Sequence, residues 1–135
     1  MNIFLFMGLA CLTLSLFMPA FFTSAEDIYG YWVLITGWIG AIFIQFAWYA
    51  NPLNLLALLL ARDKPRTALL LSFAALTLAS GAFIFYEIPT GFNYEKVFIK
   101  ELGLGFYIWY AAQVFFLLAL ISRFINYLEL SENSD

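Results

Sequence analysis

Residues 30–61 read GYWVLITGWIGAIFIQFAWYANPLNLLALLLA, 32 positions without one Asp, Glu, Lys or Arg. A bilayer core of ~30 Å takes about 20 helical residues at ~1.5 Å rise, so this stretch is too apolar for water and too long for one straight crossing. It must bend, tilt or re-enter, and Asn51-Pro52 is the place where regular helix breaks. Tyr29, Tyr31 and Trp32 lie at one end, with Trp48 and Tyr49 some 17 residues further on. That separation, ~25 Å along a helix, suits two aromatic belts at opposite membrane interfaces. The preferred geometry is one long helix kinked at Pro52, where Asn51 or Asn54 helps to satisfy the backbone groups that proline frees. In the alternative, the span ends near Ala50, Asn51 caps a second helix and Pro52 takes its first position. Either way the break is expected near the cytoplasmic side.

Working outward, three further apolar runs cover 3–22, 67–86 and 104–122. Runs this long do not suit outer-membrane strands, which show alternating segments of ~10 residues. The expected fold is an all-α integral membrane protein, four transmembrane helices in an antiparallel bundle with the second kinked or broken at Asn51-Pro52. Residues 1–135 then form a single membrane domain, with spans at about 3–22, 31–61, 67–86 and 104–122 and a polar cytoplasmic tail at 123–135. Thr23-Ser24-Ala25 resembles a signal-peptide cleavage site. The first helix is nevertheless expected to be retained, because no Lys or Arg precedes it and its apolar run exceeds the usual ~7 to 15 residues of a signal core.

Composition narrows the chemistry. The chain is 64% hydrophobic and 11% charged, with mean hydropathy +0.90, too apolar for a water-solvated surface. The formal charge of −3 is spread over loops and tail, so no nucleic-acid partner is expected. One cysteine, Cys11, and no histidine leave neither an internal disulfide, a His-based metal site nor a Ser-His dyad. No phosphate-cradling glycine loop or nucleophile elbow is present. No cofactor, metal or catalytic residue is expected, and the protein is read as non-enzymatic.

Orientation follows the Lys and Arg distribution. With both termini cytoplasmic, Arg62, Lys64, Arg66 and Arg123 lie inside, against Lys96 and Lys100 outside. The expected location is a bacterial cytoplasmic (inner) membrane, crossed several times. Glu26, Asp27 and the 87–102 segment, opened by the breaker-rich Glu87-Ile88-Pro89-Thr90-Gly91, then form the outer loops.

Within the spans, small residues offer packing faces. Ser72, Ala75 and Ala79 belong to a smooth stripe in the third run, and Gly37 and Ala41 form a second small pair, together suggesting a seam between helices two and three. Every ionisable group falls in a loop, in the tail or at a helix end; the nearest to a membrane site, Glu101, is read as interfacial beside Lys100. The neutral amides Gln45, Asn51, Asn54 and Gln113, with Pro52, form the candidate intramembrane polar site. An amide in hydrocarbon needs a partner, most simply another helix of the same chain. The leading functional expectation is a small protein acting through contacts with other membrane proteins, as accessory subunit, assembly factor or immunity-type inhibitor, with a lipid bilayer around it and a protein partner or homo-oligomer beside it. The alternative is a small oligomeric transporter or channel for a neutral solute or ion, its path lined by Gln45, Asn51, Asn54 and Gln113.

Overall fold

A computed structural model describes residues 2–89 and 95–132. Five α-helices and four strands follow the order α1 Ile3–Leu16, β1 Pro19–Thr23, β2 Asp27–Tyr29, α2 Gly30–Thr36, α3 Ala50–Leu60, α4 Pro65–Ser80, β3 Glu87–Pro89, β4 Lys96–Leu102 and α5 Leu104–Glu132. Short 3-10 turns at Gly37–Phe43, Ala47–Tyr49 and Gly81–Ile84 link them. The strands form one antiparallel sheet in the order β2-β1-β4-β3.

The all-α four-span bundle is therefore overturned. Among the described residues, two helices, Pro65–Ile84 and Leu104–Glu132, are long and apolar enough to cross a membrane. The run at 3–22 divides because Pro19 carries no amide hydrogen and disfavours helix at Met18. The last turn of α1 tightens instead, with Phe17 N–H donating to the Leu14 carbonyl at 3.2 Å. Ala20, Phe21 and Phe22 then enter the central strand β1, which pairs with β4 in the segment expected to be a loop. β4 shows the period of two that a half-buried strand requires: Val97 and Ile99 are partly buried while Lys96, Phe98 and Lys100 are exposed. Thr90 and Gly91 of the expected turn, and residues 133–135 of the expected tail, lie outside the described residues. The tail from Arg123 to Glu132 continues α5 as helix.

The stretch 30–61 is not one kinked helix. α2 ends at Thr36, where Gly37 and Gly40 weaken helical propensity. The following turn closes at Ile44, whose φ of 61° is left-handed. Gln45 N–H donates to the Gly40 carbonyl at 2.8 Å across this closure, and a Cβ at Gly40 would overlap the Gln45 carbonyl oxygen. The chain thereby reverses. Trp48 Nε1 donates to the Leu34 carbonyl at 2.9 Å and Tyr49 Oη to the Trp38 carbonyl at 3.3 Å, so the two expected aromatic belts lie at one end of the molecule. As in the alternative reading a separate short helix starts here, but it begins at Ala50, and Asn51-Pro52 neither caps it nor breaks a helix. It sits in the first turn of α3, where proline's missing N–H removes no intrahelical bond. That turn lies at the sheet end, opposite the charged turn at 62–66, and not near the end expected to be cytoplasmic.

α1 packs on α5, α5 on α4, and α4 on α3. Asn2 fastens the first pair: its Oδ1 accepts from Phe4 N–H at 3.0 Å and its Nδ2 donates to the Ala119 carbonyl at 3.0 Å. At the junction with the sheet, Gly30 and Gly103 let backbones touch, since a Cβ would overlap the Ser15 carbonyl in one case and the Pro19 carbonyl in the other. Ala20 and Phe21 of β1 form one buried cluster with Ala47, Ala82 and Phe106. The helices bury the small and expose the large: Ala68, Ser72, Ala75 and Ala79 of α4 are buried, while Leu70 and Phe73 are 70% and 63% exposed.

Candidate functional site

Four of the side chains in the helical layer form a closed polar clamp. Asn54 on α3 and Gln113 on α5 face each other across α4, which contributes Ser72 from its stripe of alanines. Asn54 Nδ2 donates to Gln113 Oε1 at 2.7 Å, and Ser72 Oγ donates to Asn54 Oδ1 at 2.6 Å. Gln113 Nε2 reaches Asn51 Oδ1 and its own helix at the Trp109 carbonyl, both at 3.5 Å. Asn54, Ser72 and Gln113 are buried, and no buried side-chain nitrogen or oxygen among the described residues lacks a partner. The buried polar atoms of Asn54, Ser72 and Gln113 thus each find a partner inside the protein.

Asn51 forms the upper edge of this clamp and also lines a cavity of about 270 Å³ between the sheet, α2, the 3-10 turns and the first turns of α5. Its Oδ1 accepts from Trp109 Nε1 at 2.9 Å. Gln45, the fourth amide expected at the site, is placed elsewhere. It too lines the cavity, but its Nε2 donates to the Glu87 carbonyl at 2.7 Å, tying the chain reversal to β3. Pro52 is exposed and lies outside this group, against Tyr49 and Leu53.

The expected packing seam divides. Ser72, Ala75 and Ala79 do form a buried stripe, but it meets α3 and α5 through Ala50, Leu53, Trp109 and Tyr110. Gly37 lies beside the Trp48 indole instead, where a Cβ would overlap the ring, and Ala41 belongs to the same 3-10 turn. Sequence reading missed Trp109 as the donor that fixes Asn51 and Ser72 as a hydroxyl partner. A partial signal for Ser72 was present, since a lone hydroxyl on an alanine stripe bonds either a carbonyl of its own helix or an acceptor on the facing one.

Charged groups stay apart from the clamp, and the cavity wall holds one, Glu26. Lys96 Nζ pairs with Glu87 Oε2 at 2.9 Å on the outer part of the sheet and lies 5.6 Å from the centre of the Phe43 ring. Glu101 is exposed on β4. Among the described residues no three His, Cys, Asp or Glu side chains gather as a metal site. Chemically, the clamp holds helices together, and the cavity is a largely apolar chamber with a few hydrogen-bonding groups and one acidic residue, Glu26, in its wall. Comparison with known proteins finds no matching family model, no matching curated protein and no matching solved structure.

Proposed function

We propose that this chain is a non-enzymatic integral membrane protein that works by contact with another membrane protein. The observation that carries this reading is the outer end of α5. Beyond Leu120 every described residue to Glu132 is at least partly exposed, and Ile125, Leu128 and Leu130 are 49%, 38% and 73% exposed. Twelve residues of helix extend ~18 Å past the last buried layer, a length suited to reaching a neighbour.

Membrane embedding is supported by the inverted packing of α3 and α4, with alanine, serine and asparagine inside and leucine and phenylalanine outside. Exposed hydroxyls point the same way: Thr13, Thr36 and Thr77 each donate to the carbonyl four residues back, as a solvent without hydrogen bonds demands. α4 and α5 are the crossing elements in this reading. α1 and α3, of 14 and 11 residues, flank them without the length to cross alone. Arg62, Lys64, Arg66 and Arg123 gather at the end away from the sheet, which makes that end cytoplasmic by the positive-inside rule. The sheet and the exposed Tyr29, Tyr31, Trp32 and Trp38 then occupy the outer interface. Closure of the Asn54–Gln113–Ser72 clamp on itself favours a role in holding helices over a polar path through them.

Two experiments test this reading. A photocrosslinking side chain at Leu130 in native membranes should give one discrete adduct with an identifiable membrane protein or a second copy, while the same group at Leu70 gives lipid adducts. Lipid adducts alone at both positions, with solute flux from proteoliposomes of the purified protein, would sink the proposal. In a Cys11→Ser background, an impermeant thiol reagent should label Asp27→Cys from outside intact cells and Leu130→Cys only from the cytoplasmic face; the reverse pattern overturns the orientation.

A further inference from the structure

The chamber under the sheet differs from an ordinary packing defect because two of its polar groups are held in a defined orientation with one arm unused. An indole N–H only donates, so the atom of Asn51 that Trp109 Nε1 meets must be the oxygen. That leaves Asn51 Nδ2 as a hydrogen-bond donor with no acceptor among the described residues, on a residue that lines the cavity. A backbone carbonyl only accepts, so the atom of Gln45 that meets the Glu87 carbonyl must be Nε2. Gln45 Oε1 is left as an acceptor without a donor among the described residues, on a second lining residue. Neither atom is buried and unsatisfied, so both face accessible space. The remaining wall is dominated by apolar side chains, including Val33, Phe85, Ile88 and Phe106, and contains no Lys or Arg.

We infer that this cavity is a binding site for an uncharged, largely apolar small molecule bearing one oxygen function, a carbonyl that accepts from Asn51 Nδ2 or a hydroxyl that also donates to Gln45 Oε1. The absence of a cation in the wall and the presence of Glu26 among its residues disfavour carboxylates and phosphates. Size points to a ring system: a cavity of ~150 Å³ holds benzene, and the volume of about 270 Å³ here takes a fused bicycle. Trp109 links the site to the helices, because the indole that orients Asn51 sits one turn before Gln113 on α5. The site is independent of the contact surface at the far end of α5.

The test uses the full-length protein in detergent with three probes of one shape: 1-tetralone, which only accepts; 1-tetralol, which also donates; and tetralin, which has no oxygen. Thermal unfolding is followed against probe concentration. 1-Tetralone should raise the midpoint saturably and act at about tenfold lower concentration than tetralin, the ratio expected for one well-placed hydrogen bond. Asn51→Asp, measured at alkaline pH where the new carboxyl is ionised, keeps an oxygen for Trp109 Nε1 but removes the donor, and should erase the advantage of tetralone over tetralin. Gln45→Met should erase any additional advantage of tetralol. Val33→Phe fills the wall without touching either amide and should abolish the response to all three probes, so the test survives if an amide variant fails to fold. Equal action of tetralone and tetralin on the unmodified protein, a tetralone advantage that persists in Asn51→Asp, or a response that never saturates would each overturn the inference.

Discussion

The two halves of the molecule treat neutral amides in opposite ways. Among the helices, Asn54, Gln113 and Ser72 are buried and answer one another's hydrogen bonds. Under the sheet, Asn51 and Gln45 each commit one arm to the protein and turn the other towards a cavity. Backbone follows the same division. The helical half is regular, whereas the sheet-side half contains two 3-10 turns in succession and a β-branched residue, Ile44, in the left-handed region. A closed network in regular helices specifies a structure; open arms on irregular backbone leave room for a ligand.

Removing one partner from the clamp should have the largest effect on this contrast. Gln113→Leu leaves the Asn54 amide buried without its acceptor and should lower stability by about 2 kcal/mol, measured by denaturant unfolding in mixed micelles. The double variant Asn54→Leu/Gln113→Leu should cost clearly less than the sum of the singles. Additivity would break the claim that the two act as a unit. Ile44→Gly should move the other way, raising stability by about 1 kcal/mol through relief of the left-handed strain at an exposed site. A loss instead would mean that the Ile44 side chain holds the reversal. Gln45→Met removes the tie to the Glu87 carbonyl and should cost about 1 kcal/mol, with faster amide exchange in β3 and none of that change in α3 or α4. The smallest effect is expected at Lys96→Met. Its ion pair with Glu87 is half-exposed on both sides, so the loss should be no more than about 0.5 kcal/mol and should vanish in high salt.

Much of the helical half was legible along the chain. The runs at 67–86 and 104–122 correspond to the two helices long enough to cross a membrane, and the stripe of Ser72, Ala75 and Ala79 is buried as a small-residue face. Asn51, Asn54 and Gln113, singled out only because amides are rare in such runs, come together in space. The sheet was not legible. β1 hides inside an apolar run because Ala20, Phe21 and Phe22 suit helix in lipid and strand in a core equally well, leaving Pro19 as the local sign of a stop. Its partner β4 reads as a loop, because Val97-Phe98-Ile99 is a short apolar triplet between charges whose alternation appears only in its burial, and a strand does not name its partner. The aromatic pairs of residues 30–61 misled for the same reason. A separation of ~25 Å holds along a straight helix, and Gly37, Gly40 and Ile44 turn the chain back on itself.

Composition and periodicity alone determined that this chain exposes apolar surface, that two of its segments make long apolar helices and that its few amides require partners, because each of these depends on side-chain solvation or on neighbours three and four residues apart. Tertiary structure decided which amides meet, where residues 30–61 reverse and that β1 and β4 pair over some 80 residues of intervening chain. Those outcomes depend on backbone hydrogen bonds and close approaches between segments remote in sequence. The unused arms of Asn51 and Gln45 exist only because Trp109 and the Glu87 carbonyl arrive from elsewhere to occupy the others.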